Sequence, residues 1–176
     1  TPLHMTHSGF DFTNLKEANK TTGYFSIDKT NAAPAPIVDS TVSYSAGAIY
    51  STTGDIYLWH QALLQNKVLS KMQQESAYKP VKNNYGYGWG IDSINGKRRV
   101  GHGGGIHGFI TNESRVPEDD IDIVLLSNAS DRSLEKITEG VYAILYDKHY
   151  ELPKERTVTQ LPLETLQQYA GEYEIR

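Results

Sequence analysis

The chain reads as an α+β fold in which an antiparallel sheet of about four strands, in meander order, packs against helices. Three observations predict it. Apolar residues recur at helical spacing over residues 52–65 and 132–147, but alternate every second residue between 85 and 127. Asn95-Gly96 and Pro117-Glu118-Asp119-Asp120 are turn signals at hairpin spacing within the alternating stretch. Residues 85–109 also hold nine of the fifteen glycines, which suits strands whose backbone is approached closely.

Residues 1–46 are polar, rich in Thr, Asn, Ala and Pro, and show neither period for long. Pro34 and Pro36, set among Ala32, Ala33 and Ala35, predict an extended loop. Leu3, Met5, Phe10, Tyr24 and Phe25 are apolar enough to lie against another surface. A helix starts at Thr52, whose hydroxyl can accept from an amide left unpaired in the first turn. Asp55, three residues on, places its carboxylate at the positive helix end. Ile56, Trp59, Ala62 and Leu63 mark the buried face, and Asn66-Lys67 ends the helix. Ser70 is the expected cap of a short helix over 71–78, stopped by Pro80.

Strands are predicted at 85–93, 97–102, 107–116 and 121–127. The last is nearly all apolar, which predicts a central strand covered on both faces. In the helix that follows, at about 132–147, Leu134, Ile137, Val141, Ile144 and Leu145 form a stripe expected to lie on the sheet. Residues 153–160, headed by Pro153, read as a linker. Residues 161–176 then open a further β-rich unit: a short helical turn, Gly171, and a strand from Glu172. A lone strand is not stable, so 1–152 is expected to be part of one domain and 161–176 the start of another.

Composition removes several classes of function. The net charge of −4 is mixed in sign, with no basic run of five, so a nucleic-acid partner is not expected. No apolar stretch reaches the eighteen residues of a membrane span, and the first ten residues do not form a signal peptide. Without cysteine there is no disulfide, thiolate metal site or cysteine nucleophile.

The chemistry concentrates at His102, followed by Gly103, Gly104 and Gly105. Near neutral pH an imidazole can donate, accept or carry charge, and glycine amides can face a developing oxyanion. The alternative is a bulged, tightly turned hairpin without a ligand. Other patterns fit less well. Gly103-x-Gly105-x-x-Gly108 matches a dinucleotide fingerprint, but Phe109 continues as strand where that motif needs a helix. His-Gly-Gly-Gly matches a lipase oxyanion motif, whose Gly-x-Ser-x-Gly partner is missing from the chain. A metal site from His4, His7, His102 and His107 would need loops to converge, with no carboxylate at a telling spacing. Ser-x-x-Lys occurs at Ser26/Lys29 and Ser133/Lys136, neither on a helix buried enough to lower the lysine pKa.

Taken in order, the motifs resemble the C-terminal half of the serine β-lactamase and penicillin-binding-protein-like hydrolases, in the class C, esterase and D-aminopeptidase branch. The matching pieces start with Pro2-Leu3 and Met5, then Ala46-Gly47 leading to Ser51-Thr52 and Asp55, then Tyr85-Gly86-Tyr87-Gly88-Trp89. Gly101-His102-Gly103-Gly104, Gly108-Phe109 and Leu126-Ser127-Asn128 complete the set. The resemblance implies a serine hydrolase of amide or ester bonds, among them β-lactams, D-amino-acid peptides and esters, acting through an acyl-enzyme without a cofactor. His102, Gly103 and Gly104 occupy its His-x-Gly motif, Gly105 gives one oxyanion amide, and Asn128 is a rim contact to substrate or a helix-entry cap. The family's Ser-x-x-Lys and Tyr-x-Asn precede the segment that Thr1 begins. Tyr44-Ser45-Ala46 lacks the asparagine and stands in the wrong order.

These 176 residues alone are therefore expected to be inactive. The expected partners are a small-molecule or peptide substrate and the missing N-terminal half of the same domain. In its absence, self-association or strand exchange should hide the exposed sheet edge. The competing reading is a non-catalytic module that binds a peptide, peptidoglycan fragment or protein. The resemblance leans toward a periplasmic or secreted setting, which the composition leaves open.

Overall fold

The computed structural model describes residues 2–16, 20–130, 133–152 and 160–173. Residues 2–50 are more than an extended loop. They contain β1 (Gly9–Phe10), β2 (Tyr24–Ile27), β3 (Ala32–Pro34), α1 (Ser40–Gly47) and β4 (Ile49–Tyr50). β1 pairs with β4 and β2 with β3, both antiparallel. Periodicity misses these elements because side-chain oxygens, rather than a buried face, hold them. Asp28 accepts from the amides of Thr30 and Asn31, each at 2.7 Å, in the turn between β2 and β3. Asp39 accepts from the Thr41 amide at 2.9 Å and starts α1, which has no buried residue and is broken at Tyr44 (φ 38, ψ −127).

α2 (Thr53–Leu64) begins as predicted, with the Thr52 hydroxyl accepting from the Asp55 amide at 3.2 Å. Asp55 does more than favour the helix end. Its carboxylate is buried and accepts from the His7 amide and the Ser8 hydroxyl, both at 2.7 Å, which ties the N-terminal segment to α2. The buried face is Asp55, His60, Ala62 and Leu63, whereas Ile56 and Trp59 are only half-buried. α3 (Lys71–Ala77) carries a full capping box between Ser70 and Gln73.

The main sheet runs β5 (Gly90–Ile94), β6 (Lys97–Ile106), β7 (Phe109–Val116) and β8 (Ile121–Ser127), all antiparallel and in that order. Asn95 and Gly96, at φ 52 and 77, form the tight turn that their dipeptide predicts. Four strand boundaries move, one of them, the end of β5 at Ile94, by a single residue. β5 starts at Gly90, because Tyr85 joins only isolated bridges; β7 starts at Phe109, and β6 continues through the glycines to Ile106. β8 corrects the expectation of a central strand: among the described residues it is an edge. The expected cover on both faces is present, from α2 and from α4 (Leu134–Leu145).

The face of α4 is corrected too. Leu134, Thr138 and Tyr142 are buried and Val141 packs beside them, while Ile137, Ile144 and Leu145 are 44%, 57% and 53% exposed. α5 (Leu163–Gln167) is the short turn expected after Leu161. The linker at 153–160 and the strand from Glu172 lie almost wholly outside the described residues.

Strand alternation sends Val100 to one face, with Ala77, Tyr78 and Ile91, and Val116 to the other, with Ile123 and Tyr142. The α2 face also carries charge. Arg115, 2% exposed, donates to the Tyr78 hydroxyl at 3.0 Å. His60 Nε2 lies 2.8 Å from Glu113 and 3.1 Å from Asp122, in contacts that lack hydrogen-bond geometry. Burial pushes Asp122 up from 3.8 to about 6, against the opposing pull of His60.

Because the folded-state value is the higher one, folding takes up a proton at Asp122 between these two pKa values. The contribution of this group to stability falls as pH rises through that window. Asp122→Asn should therefore gain on the wild type by about 1–3 kcal/mol between pH 4 and pH 6, read from urea unfolding curves.

Candidate active site

Consecutive glycines weaken a strand unless its backbone is in use. β5 pairs with β6 only as far as Gly90↔Gly101, so residues 102–106 have β7 on one side and no described strand on the other. The turns determine which peptide groups face that open edge. A two-residue hairpin closes on a hydrogen-bonded pair, after which paired and outward-facing positions alternate. Ile106↔Phe109 closes one turn, so Gly105 and Gly103 direct N–H and C=O away from β7. Ile94↔Lys97 closes the other, which directs Lys97, Arg99 and Gly101 toward β5 and gives Gly103 and Gly105 the same sense.

The glycines have different reasons to be there. A Cβ on Gly101 would stand 2.4 Å from the Glu113 carbonyl oxygen, and one on Gly104 would stand 2.7 Å from the Thr111 hydroxyl. Around Gly105 a Cβ meets nothing within 4 Å. Gly108, at φ 79, lies so close to Gly23 and Tyr24 that a Cβ would stand 2.6 Å from their backbone. The Gly108 carbonyl accepts from the Tyr24 amide, and Phe25 meets His107 edge-on at 5.7 Å. The β2–β3 hairpin thus braces the end of the open edge.

His102 is exposed, and Nδ1 is within hydrogen-bond distance of the Gly103 carbonyl. A carbonyl only accepts, so Nδ1 carries the proton in the neutral ring. Nε2 then accepts from the Tyr85 hydroxyl at 2.8 Å. Tyr85 follows two left-handed residues, Asn83 and Asn84, and its amide donates to the Lys82 carbonyl at 2.9 Å. Gly86 allows the run to close on α3: a Cβ there would stand 2.1 Å from the Ala77 carbonyl oxygen. A cleft of about 450 Å³ opens beside His102 and Gly103, with Tyr85, Asn112 and Glu135 also in its walls. Its one arginine, Arg99, is committed to Asp92 and Glu139.

Asn128 lies apart from this ledge. Gly105 pairs with Ile110 and Ile110 with Ser127, so Asn128 follows a strand two positions across the sheet. Its side chain donates to the Thr22 carbonyl at 2.9 Å and holds the 22–24 segment in place. The two Ser-x-x-Lys matches also stand apart. Ser26 is in β2 rather than on a helix, and Ser133 precedes α4 with Lys136 exposed.

Two features of the site escaped the sequence reading. The contact of Tyr85 with His102 has no mark in the Tyr85–Trp89 motif, although Asn83-Asn84 signals a turn just before it. His60 lies four residues after Ile56, on the apolar side of α2, and that spacing marks it for burial.

Residues 1–146 match the family described as Beta-lactamase. Penicillin-binding protein 4* of Bacillus subtilis (strain 168) is 33% identical over 117 residues, which is 61% of this chain and 26% of that protein. The putative penicillin-binding protein PbpX of the same organism is 28% identical over 145 residues, 82% of this chain and 36% of that protein. The octameric penicillin-binding protein homologue from Pyrococcus abyssi shares the fold, with a TM-score of 0.67 at 23% identity, over 84% of this chain and 35% of that one. A D-stereospecific amidohydrolase from Streptomyces sp. gives a TM-score of 0.63 at 22% identity, over 80% and 44%. The chain thus spans about a quarter to a third of the length of the two Bacillus relatives.

The glycine contacts predict opposite outcomes for two similar substitutions. Gly101→Ala should destabilise by more than about 2 kcal/mol, because its Cβ meets backbone. Gly105→Ala should stay within about 1 kcal/mol of wild type. Thermal unfolding of both variants measures the difference.

Proposed function

This chain belongs to the beta-lactamase family, and on that footing we propose that it is the substrate-facing part of a serine hydrolase that cleaves amide or ester bonds through an acyl-enzyme. The observation that carries this reading is the open edge of β6, where Gly103 and Gly105 turn peptide groups outward beside the His102 imidazole. An extended acyl chain can pair along such an edge as an added strand. The Gly105 N–H is then one donor to the oxyanion of the tetrahedral intermediate, and the nucleophile's own amide is the other. Gly103 and Gly104 keep the ledge free of side chains so that substrate can reach the backbone. His102 orients the substrate and takes part in the proton network. Asn128 acts on the rim indirectly, through the segment it anchors.

The nucleophilic serine, its lysine and the Tyr-x-Asn group come from residues outside these 176, so this chain alone does not turn over substrate. The same outside residues cover the free edge of β8 and the exposed Ile137, Ile144 and Leu145 of α4. Amide substrates with a D-configured residue, β-lactams included, are the class supported by the similarity to penicillin-binding proteins and to a D-stereospecific amidohydrolase.

Labelling the full-length protein that contains this chain tests the reading. A fluorophosphonate or penicillin should attach to a serine outside residues 1–176, and the isolated chain should take no label. Gly105→Pro, which removes the amide proton, should lower kcat by about 10²–10³. Absence of label on full-length protein with His102 intact would instead support a binding module. In light scattering, the isolated chain should be larger than its 19.7 kDa monomer and should become smaller when the N-terminal half is added in trans.

A further inference from the structure

We propose that Tyr85 is the positioning residue for His102: its phenolic O–H selects the imidazole tautomer and fixes where the ring stands on the ledge. This rests on the reading of His102 as a substrate-facing group.

An exposed imidazole can carry its proton on either nitrogen and can rotate about χ2. Here both choices are restricted. Nδ1 donates to the Gly103 carbonyl, a partner that moves with the histidine itself. Nε2 meets a group from a different part of the chain, the Tyr85 hydroxyl at 2.8 Å. The two rings also stand edge to face, with centroids 5.6 Å apart and planes at 78°, so the phenol limits the imidazole's rotation.

Tyr85 is itself held firmly. Its amide donates to the Lys82 carbonyl and its carbonyl accepts from the Val81 amide, both at 2.9 Å. The next residues are fastened as well: the Gly86 amide donates to the Trp89 carbonyl at 2.8 Å, and the Tyr87 amide to the Ala77 carbonyl at 3.0 Å. The hydroxyl therefore comes from the scaffold that includes α3, not from a free loop. With Nε2 occupied by Tyr85, His102 presents its ring to the cleft in one orientation, and any proton that reaches Nε2 must displace the phenolic hydrogen bond. No bond other than hydrogen bonds is made or broken in this role.

The test combines imidazole nitrogen NMR with kinetics, both on the full-length protein, using a chromogenic D-amino-acid anilide and a chromogenic p-nitrophenyl ester as probes. Wild type should show one His102 tautomer, protonated at Nδ1. Tyr85→Phe keeps the ring but should show mixed tautomers, with kcat reduced about fivefold to tenfold and KM within about twofold. Tyr85→Gln, which returns a donor without the aromatic ring, should restore the single tautomer. In a His102→Ala background, Tyr85→Phe should change nothing further. An unchanged tautomer and unchanged kcat in Tyr85→Phe would overturn the proposal, as would a loss of the same size with His102 removed. If wild type turns over neither probe, the substrate-facing reading fails, while the NMR comparison still decides the Tyr85–His102 relation.

Discussion

One mismatch in strand length governs the rest of this molecule: β6 runs to Ile106, but its neighbour β5 stops opposite Gly101. An unpaired strand edge is a liability, because its amides and carbonyls will pair with whatever strand they meet. In this chain the exposed length is short, bare of side chains at three successive positions, and braced at its end by the β2–β3 hairpin through Gly108. Those properties are the ones that the proposed pairing with an extended substrate requires. The register of the two flanking turns then leaves Gly103 and Gly105 as the outward-facing positions.

The two faces of the sheet support that edge in different ways. On the α4 side, Val116, Ile123 and Tyr142 supply apolar packing, and Tyr142 stays satisfied through Ser114 at 3.0 Å. On the α2 side, the apolar cluster around Val100 adjoins a charged group built from Arg115, Asp122, Glu113 and His60. Glu113 is the cross-strand partner of His102, so this charged group reaches the strand position opposite the ledge histidine. Burying such groups is costly unless they are paired, which explains why a carboxyl there is pushed toward neutrality.

Much of this was legible in the sequence wherever a local rule decides the outcome. Asn95-Gly96 fixed a turn, Thr52 and Ser70 fixed helix starts, and alternation fixed four strands in meander order. The ordered set of short motifs identified the family. What stayed hidden depends on contacts between distant segments. An apolar run signals cover on both faces, which α2 and α4 provide, but not whether a strand lies on each side, so the edge position of β8 among the described residues was not legible. On α4 an apolar count favoured Ile137, Ile144 and Leu145, whereas the sheet buries Thr138, whose hydroxyl bonds to Asn112 at 3.0 Å. The elements within residues 2–50 rest on Asp39, Asp28 and Asp55 as hydrogen-bond acceptors, which no hydrophobic pattern reveals. His102 was visible as a candidate, but its partner Tyr85 lies seventeen residues away.

The account depends on the outward peptide group of Gly105 meeting the reacting carbonyl. The most direct measurement is a structure of the full-length protein with a boronic-acid mimic of the acyl intermediate on its serine. A boronate oxygen within hydrogen-bond distance of the Gly105 nitrogen, with the ligand chain extended along β6, is the predicted result. A boronate turned away from β6, leaving the Gly105 amide bonded only to solvent, would contradict it.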